Sequence, residues 1–410
     1  MVKVEGMVDG YWNSEVGIIP DTWEVDTIKD SYEICNNLRF PISNDVRSKM
    51  KGKYPYYGPT KIQDYINEYR LEGKYALIGE DGDHFLKWAT NPMTILAEGK
   101  FNVNNHAHVV KGKVGLTEWF YIYFCHRDIT QVLSRQGAGR YKLNKATLEK
   151  LLIALPPIEE QKAIATALSD MNDLILSIEK LISKKKLIKE GAMQELLTGN
   201  RRITGFSSEW ITKKLGDLGE FSGAGIDKKI NKNEENVRLL NYLDVYRKDF
   251  IYSKDLWHIV TAPKYKLQQC SIQRGDIFFT PSSEMREDIA LSSLAVEDIN
   301  DAGYSYHVVR FRFKENWDTL FKAYIFKTKA FLDQAEMFCE GSGKRYVISL
   351  RKFREFEVKY PVDINEQEAI GNILYSMSME IEKLEKKLGK YKNIKSGMME
   401  ELLTGKRRLV

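Results

Sequence analysis

The 410-residue sequence holds only four cysteines, and no two of them are neighbours. Cys35, Cys125, Cys270 and Cys339 are scattered along the chain. That spacing excludes a zinc ribbon or a dithiol redox pair and fits a reducing cytoplasm. No apolar run is long enough to cross a bilayer and no early segment reads as a signal peptide, so a cytoplasmic chain with no membrane contact is expected. The marks of common catalysts are missing too. An amino-methyltransferase holds its target amine in an Asn/Asp-Pro-Pro-aromatic loop. Here Asn91-Pro92-Met93 stops after one proline, and Pro156-Pro157 has no amide or carboxylate before it. Gly343-Lys344 is followed by Arg345, where a P-loop needs the Ser or Thr that holds magnesium. No catalytic residue is assigned. The densest set of possible metal ligands, Glu80-Asp81-Gly82-Asp83-His84, lacks the spacing of a calcium loop and reads as a solvated turn. His106 and His108 have no third ligand at a metal spacing and read as a polar, hydrogen-bonded strand face, so no metal is expected. With Asn102 and Asn104 the alternative is a face lining a groove for a ligand.

What the chain does contain is a duplication. One segment opens Pro156-Pro157-Ile158-Glu159-Glu160-Gln161 and closes Glu195-Leu196-Leu197-Thr198-Gly199-Asn200-Arg201-Arg202. A second opens Pro361-Val362-Asp363-Ile364-Asn365-Glu366-Gln367 and closes Glu401-Leu402-Leu403-Thr404-Gly405-Lys406-Arg407-Arg408. Both Gln161 and Gly199 recur 206 residues later, so no residue has been gained or lost between them. Each copy reads as one helix of roughly 60 Å at 1.5 Å per residue. Proline and acid open it, and glycine followed by basic residues closes it. The apolar positions Ile164, Leu168, Met171, Ile175, Ile178, Ile182 and Ile370, Leu374, Met377, Ile381, Leu384, Leu388, Tyr391 step by fours and threes. That is a coiled-coil seam, with the twin helix as its partner. The alternative is that each stripe faces its own domain.

A second signature, Trp23 with Ile28 and Asp30, recurs as Trp210 with Leu215 and Asp217 at an offset of 187. The second globular segment is therefore 19 residues longer than the first. Hydrophobic content of 43% and charged content of 29% suit a globular protein too long for one core. The expected division is a leader at 1–22, a module at 23–155, a helix at 156–200, a longer module at 201–360 and a helix at 361–410. Within the first module Tyr75–Ile78 reads as a buried strand, Lys51–Pro59 as a loop and Leu116–Cys125 as a buried helix. In the second, Gly275-Asp276 turns into a strand, Tyr306–Phe313 alternates, and Thr319–Asp333 is helical. Each module ends in a glycine loop, Gly137-Ala138-Gly139-Arg140-Tyr141 and Gly341-Ser342-Gly343-Lys344-Arg345-Tyr346. The expected fold class is α+β: two globular mixed modules separated by two long helices paired on a coiled-coil seam, with an internal pseudo-two-fold repeat.

The glycine loop, the Leu155-Pro156-Pro157-Ile158-Glu159-Glu160-Gln161 helix start, the long helix and the Leu-Leu-Thr-Gly ending, all present twice, resemble the specificity subunits of type I restriction-modification enzymes. The second copy departs at Tyr360-Pro361-Val362-Asp363, with a single proline before the helix. The resemblance implies a non-catalytic reader of double-stranded DNA. Each module would be a target-recognition domain for one half of a split, asymmetric site, and the two helices would form an antiparallel coiled coil that separates the modules and sets the unread gap. It also implies assembly with two methyltransferase subunits and with motor-nuclease restriction subunits. S-adenosylmethionine, ATP and magnesium would be used by those partners, with no cofactor in this chain.

A net charge of +5, with 62 basic residues, permits such binding. The candidate DNA contacts are Arg135, Gln136, Arg140 and Lys142 in the first module, with Lys344, Arg345 and Arg351 in the second. Ser282, Ser283 and Arg286, together with Glu284, form a further polar loop after a buried strand. Arginine can make paired bonds to guanine and glutamine to adenine, while lysine mainly meets phosphate. The competing function is a coiled-coil scaffold whose modules bind proteins, which lack of DNA binding in the presence of its partner would favour.

Overall fold

A computed structural model describes residues 10–136, 140–343 and 345–409. The chain divides into two units, residues 1–177 with 388–410 and residues 178–387, so each long helix contributes to both. The helices run Ile158–Leu197 and Ile364–Leu402. Among the described residues no helix is long and apolar enough to cross a membrane.

The first unit is built on a six-stranded sheet in the order Tyr32–Ile34, Ala107–Gly112, Leu71–Gly79, Thr94–Val103, Lys51–Tyr57, Ile62–Ile66. Leu71–Gly79 contains the expected buried run, with Ala76, Leu77 and Ile78 fully buried. The helix Thr117–Cys125 lies on this sheet with seven of its nine residues buried, and Trp119 meets Trp23 edge-on at 5.8 Å. The segment expected to be a loop, Lys51–Pro59, is mostly strand. Its tyrosines favour a pleated surface, and Pro55 is tolerated because the neighbouring strand Thr94–Val103 pairs only with Tyr56 and Tyr57. At Gly52, beside a bulge, a Cβ would lie 2.3 Å from the Asn67 backbone, so no larger residue fits. The leader also departs from expectation: Tyr11–Ser14 and Gly17–Pro20 form a hairpin, and the Tyr11 hydroxyl donates to the Gly405 carbonyl at 3.0 Å.

The second unit has a five-stranded sheet, Gly219–Ser222, Val309–Phe313, Ile277–Phe279, Ser292–Ala295, Phe250–Ile251, and a three-stranded one, Ile259–Ala262, Glu235–Leu240, Ala302–Tyr304. Its core is aromatic, with Phe279, Phe311, Phe326, Phe331, Phe353 and Phe356 in one cluster. The alternating run Tyr306–Phe313 is strand only from Val309. The expected single helix Thr319–Asp333 is two, Thr319–Ile325 and Lys329–Phe338, because Thr328 caps the second through the Phe331 amide.

Both modules close in one way. The strand Glu24–Thr27 pairs antiparallel with Leu152–Leu155, and Trp210–Lys214 pairs with Glu357–Pro361, in each case just ahead of the long helix. The helix stripe is shared between two duties. Ile164 and Leu168 belong to the first module's core, and Ile370 and Leu374 to the second's, but the same clusters take in the twin helix through Leu402 and through Met193, Leu196 and Leu197, so these seam positions meet module and partner helix together. These positions follow the strand that feeds the helix, so the module's own apolar face lies beside them. Further along, Ile175, Ile178, Ile182 and Ile381 are buried, whereas Met171, Met377, Leu384 and Leu388 are half-buried. Within the second unit the helices run antiparallel: Met193 and Leu197 share a cluster with Ile370 and Leu374, and earlier on the first helix Lys185 bonds to Glu380 and Lys186 to Glu385 at 2.8 and 2.7 Å. In the first unit Lys395 Nζ donates to Asn172 Oδ1 at 3.0 Å.

Candidate nucleic-acid interface

The ends of the long helices anchor both modules through the same three side chains. Gly199 and Gly405 take left-handed conformations, with φ of +75° and +69°, and end the helices as expected. A Cβ at either would lie 3.2 Å from an indole, Trp210 or Trp23. Past each glycine an arginine turns back to a fully buried glutamate. In the second unit Arg202 Nε and Nη2 donate to Glu366 Oε1 and Oε2 at 2.6 and 2.8 Å. In the first, Arg408 clamps Glu160 by the same two nitrogens, and Trp23 Nε1 adds a bond to Glu160 Oε2 at 3.0 Å. Gln161 and Gln367 extend the match. Each accepts one amide of its module, from Leu116 or Asp318, and donates to a proline carbonyl, Pro156 or Pro361. These buried polar residues had no assigned role in the sequence; only their recurrence pointed to them.

On this frame the glycine loops are hairpins. Ser134–Gln136 pairs with Arg140–Lys142, its tip outside the described residues, and Glu340–Ser342 pairs with Arg345–Val347. Arg135 and Arg140 are exposed, and the Arg135 guanidinium lies 4.8 Å over the Tyr141 ring. Lys142 points instead at Glu80, 3.6 Å away, which also takes Arg39 at 2.6 Å. The Glu80–His84 turn is thus tied to the hairpin, further joined by Gly82 N to Tyr141 O, and its Asp81 also meets His106, outside the hairpin, at 2.9 Å. The side chain of Gln136 and the residue Lys344 lie outside what the structure describes.

In the second module Arg345–Val347 also pairs with Ser282–Ser283, which brings two candidate loops into one small sheet. Arg345 Nη2 lies 3.4 Å from Ser282 Oγ, and Arg286 sits 5.0 Å over the Tyr346 ring. Arg351 is exposed on the following helix, Leu350–Arg354, outside this sheet. Beside it a cavity of about 460 Å³ is lined by Ser282, Ser283, Glu284, Arg345, Tyr242 and Tyr246 among others. The tyrosine rings stack 5.5 Å apart, one turn from each other on a segment started by the Asn241–Asp244 capping box. Asp288 forms part of the lining, and hydrogen bonds from Tyr246 and Arg247 hold its carboxyl below the ordinary carboxylate range. Sequence reading missed Tyr242, Tyr246 and Asp288; the four-residue tyrosine spacing was the available signal. An exposed arginine, an exposed carboxylate and a pair of hydroxyls around stacked rings can present donors and acceptors to base edges.

Asn102 and Asn104 do not line a groove. Both are buried, Asn102 donating to Glu68 O at 2.7 Å and Asn104 to Gln63 Oε1 at 3.1 Å. His106 is exposed in the turn before the strand, whereas His108 is buried within it.

Two mixed modules, each closed by the same helix anchor and each carrying a basic hairpin, define a duplicated two-module protein on paired long helices. The family described as the type I restriction modification DNA specificity domain matches residues 20–189 and 207–390. The chain belongs to this family, and it is a DNA-specificity subunit. It is 25% identical over 415 residues to the Methanocaldococcus jannaschii type I restriction enzyme MjaVIII specificity subunit, covering 95% of this chain and 94% of that protein. A Haemophilus influenzae relative, also named for a type I restriction enzyme specificity subunit, is 39% identical over 142 residues, and the match spans 35% of that protein. The fold resembles the crystal structure of the type I restriction-modification S subunit from M. genitalium, with a TM-score of 0.61, 14% identity, and coverage of 93% of this chain and 96% of that one. A second solved type I system chain gives a TM-score of 0.52 at 12% identity, covering 94% and 99%.

Proposed function

We propose that the chain is the non-catalytic reader of a type I restriction-modification complex, each module reading one half of a split DNA site. The observation that carries this reading is the duplicated hairpin with its Arg-Tyr pair, Arg140-Tyr141 and Arg345-Tyr346, set in two modules whose sheets differ. A shared frame with different sheets suits two half-sites of different sequence. Arg135, Arg140, Arg286 and Arg345 are the proposed DNA contacts, with Ser282, Ser283 and Glu284 beside the last of them. Lys142, spent on Glu80, is the weakest candidate among the described residues. Half-sites for a protein of this duplicated design lie about one helical turn apart. The two equivalent helix anchors support binding of two methyltransferase subunits, with restriction subunits added to that core. S-adenosylmethionine, ATP and magnesium are then used by those partners.

Methylation mapping in cells expressing this chain with its methyltransferase partner tests the reading. The expected result is one bipartite, asymmetric motif. Purified chain should show no methyl transfer and no ATP hydrolysis by itself, and its DNA affinity should fall steeply with salt. Methylation unchanged by loss of this chain would overturn the proposal.

A further inference from the structure

The two copies of the frame are in register. Gln161 and Gln367 take the amides of Leu116 and Asp318, and the helices that follow start at Thr117 and Thr319. Ile122 and Cys125 therefore correspond to Tyr324 and Lys327. On the long helices the offset of 206 makes Asn172 the counterpart of Ser378, and Lys395 the counterpart of Lys189.

In the second unit these counterparts surround a segment of the chain itself. Asp249 accepts from Lys189 Nζ at 2.5 Å, from Ser378 Oγ at 3.1 Å and from Lys327 Nζ. Burial would raise its pKa, but the two ammonium groups outweigh burial and hold the carboxyl well below the ordinary range. The next residue, Phe250, meets the rings of Tyr324 and Tyr375 edge-on at 6.0 and 5.4 Å. An acid followed by an aromatic thus fills the angle between module and helices.

In the first unit the matching positions Ile122, Cys125, Asn172 and Lys395 all line an open groove of about 720 Å³. Among the described residues Lys395 meets no carboxylate; its ammonium donates to Asn172 Oδ1. The walls around it include Leu96, Tyr121 and Met399, an apolar surface of the kind that Phe250 covers in the other copy.

We infer that this groove docks a partner polypeptide through a carboxylate followed by a bulky apolar side chain, the carboxylate bonding to Lys395. The internal precedent supplies the chemistry, and a half-covered ammonium beside an apolar wall favours an anion that arrives with its own apolar neighbour. Glu98, Glu118, Glu159 and Asp170 line the groove along with Lys74 and Lys162, so it suits one carboxylate placed on Lys395 and not the continuous row of phosphates of a nucleic acid. The chain's own acid–aromatic segment is already engaged on Lys189 and Lys327, so the occupant comes from another protein. The existence of that protein rests on the proposed function; the geometry of the groove does not.

The test is Thr166→p-benzoylphenylalanine, an exposed position on the rim, in the full chain assembled with its methyltransferase partner. Irradiation should crosslink a partner segment with an acid beside an aromatic or large aliphatic residue. Lys395→Glu should cut the crosslink at least about tenfold, and Lys395→Arg should keep it within about threefold. Crosslinks only to DNA, to a second copy of this chain, to a partner segment without such an acid, or to nothing in a complex that still methylates would overturn the docking site. Those results leave the proposed function standing. Wild-type chain that neither assembles nor directs methylation would overturn the proposed function instead.

Discussion

At Arg345 the guanidinium leans on Ser282 Oγ, 3.4 Å away, with its side chain still exposed. A donor fork held by one weak local bond remains free to make two bonds to guanine. Arg345→Ala should relax the base preference at one position of one half-site, at about 1–3 kcal/mol, and leave the other half-site unchanged. Arg140→Ala should do the same in the other half, and methylation mapping of both variants distinguishes the two effects. His108 poses a different residue-scale question. Its Nε2 bonds to the Leu143 carbonyl at 2.7 Å and its Nδ1 to Asn36 Nδ2 at 2.9 Å, so the neutral ring satisfies both partners. Burial lowers its pKa from the ordinary value of about 6.5. The unfolded chain therefore takes up this proton first as pH falls, and the stabilisation, complete above about pH 6.5, declines below it. Hydrogen exchange of the strand Leu71–Gly79, corrected for its intrinsic pH dependence, should quicken as pH falls from about 7.5 to about 5.5. His108→Gln, which takes up no proton, should lose that dependence even if it is less stable throughout.

The elements that matter most are the helix ends. Glu160 and Glu366 are fully buried, and each holds the arginine that follows the other helix. Removing one partner of a buried pair costs about 3–5 kcal/mol, because the remaining groups lose their bonds away from water. Glu366→Ala should destabilise the second unit near the lower figure, since Arg202 keeps its bond to the Ser208 carbonyl at 3.0 Å. Glu160→Ala should cost more, because the Trp23 indole is orphaned along with Arg408. Denaturant unfolding of both variants tests the order, and equal losses would assign no weight to the indole bond. The alternation of fours and threes in the helices was legible from the sequence, but its division of labour was not. A stripe of leucine and isoleucine reads the same whether the surface opposite is a helix or a sheet. Ile164 and its counterpart Ile370 each sit in a cluster built from their own module and the end of the twin helix.

For the molecule, the repeat makes the anchors interchangeable. The segment Leu197–Arg202 carries the same leucine, glycine and arginine as Leu403–Arg408, which seats on Trp23 and Glu160. A fragment of residues 1–205 should therefore dimerise, the ending of one copy filling the anchor of the other, and direct methylation at an inverted repeat of the first half-site. Sedimentation and methylation mapping check the two parts. A folded fragment that stays monomeric at high concentration would count against the exchange.

The sequence alone determined the duplication, the two helices with their lengths and ends, and the order of modules, since these depend on local periodicity and on residues repeated at fixed offsets. Only the tertiary structure decided which polar residues face inward or outward. For Asn102, Asn104 and His108 the sequence left a hydrogen-bonded strand face and a groove lining both open, and the fold sends their bonds to Glu68, Gln63 and Asn36, 34 to 72 residues away in the chain. Lys51–Tyr57 carries the glycine and proline of a loop and became a strand because a parallel neighbour asks for no amide at Pro55. The cavity beside Arg345 likewise gathers Tyr242, Ser282 and Asp288 from separate stretches. Pairing across such distances is set by which surfaces the folded chain brings together, and no local pattern records it.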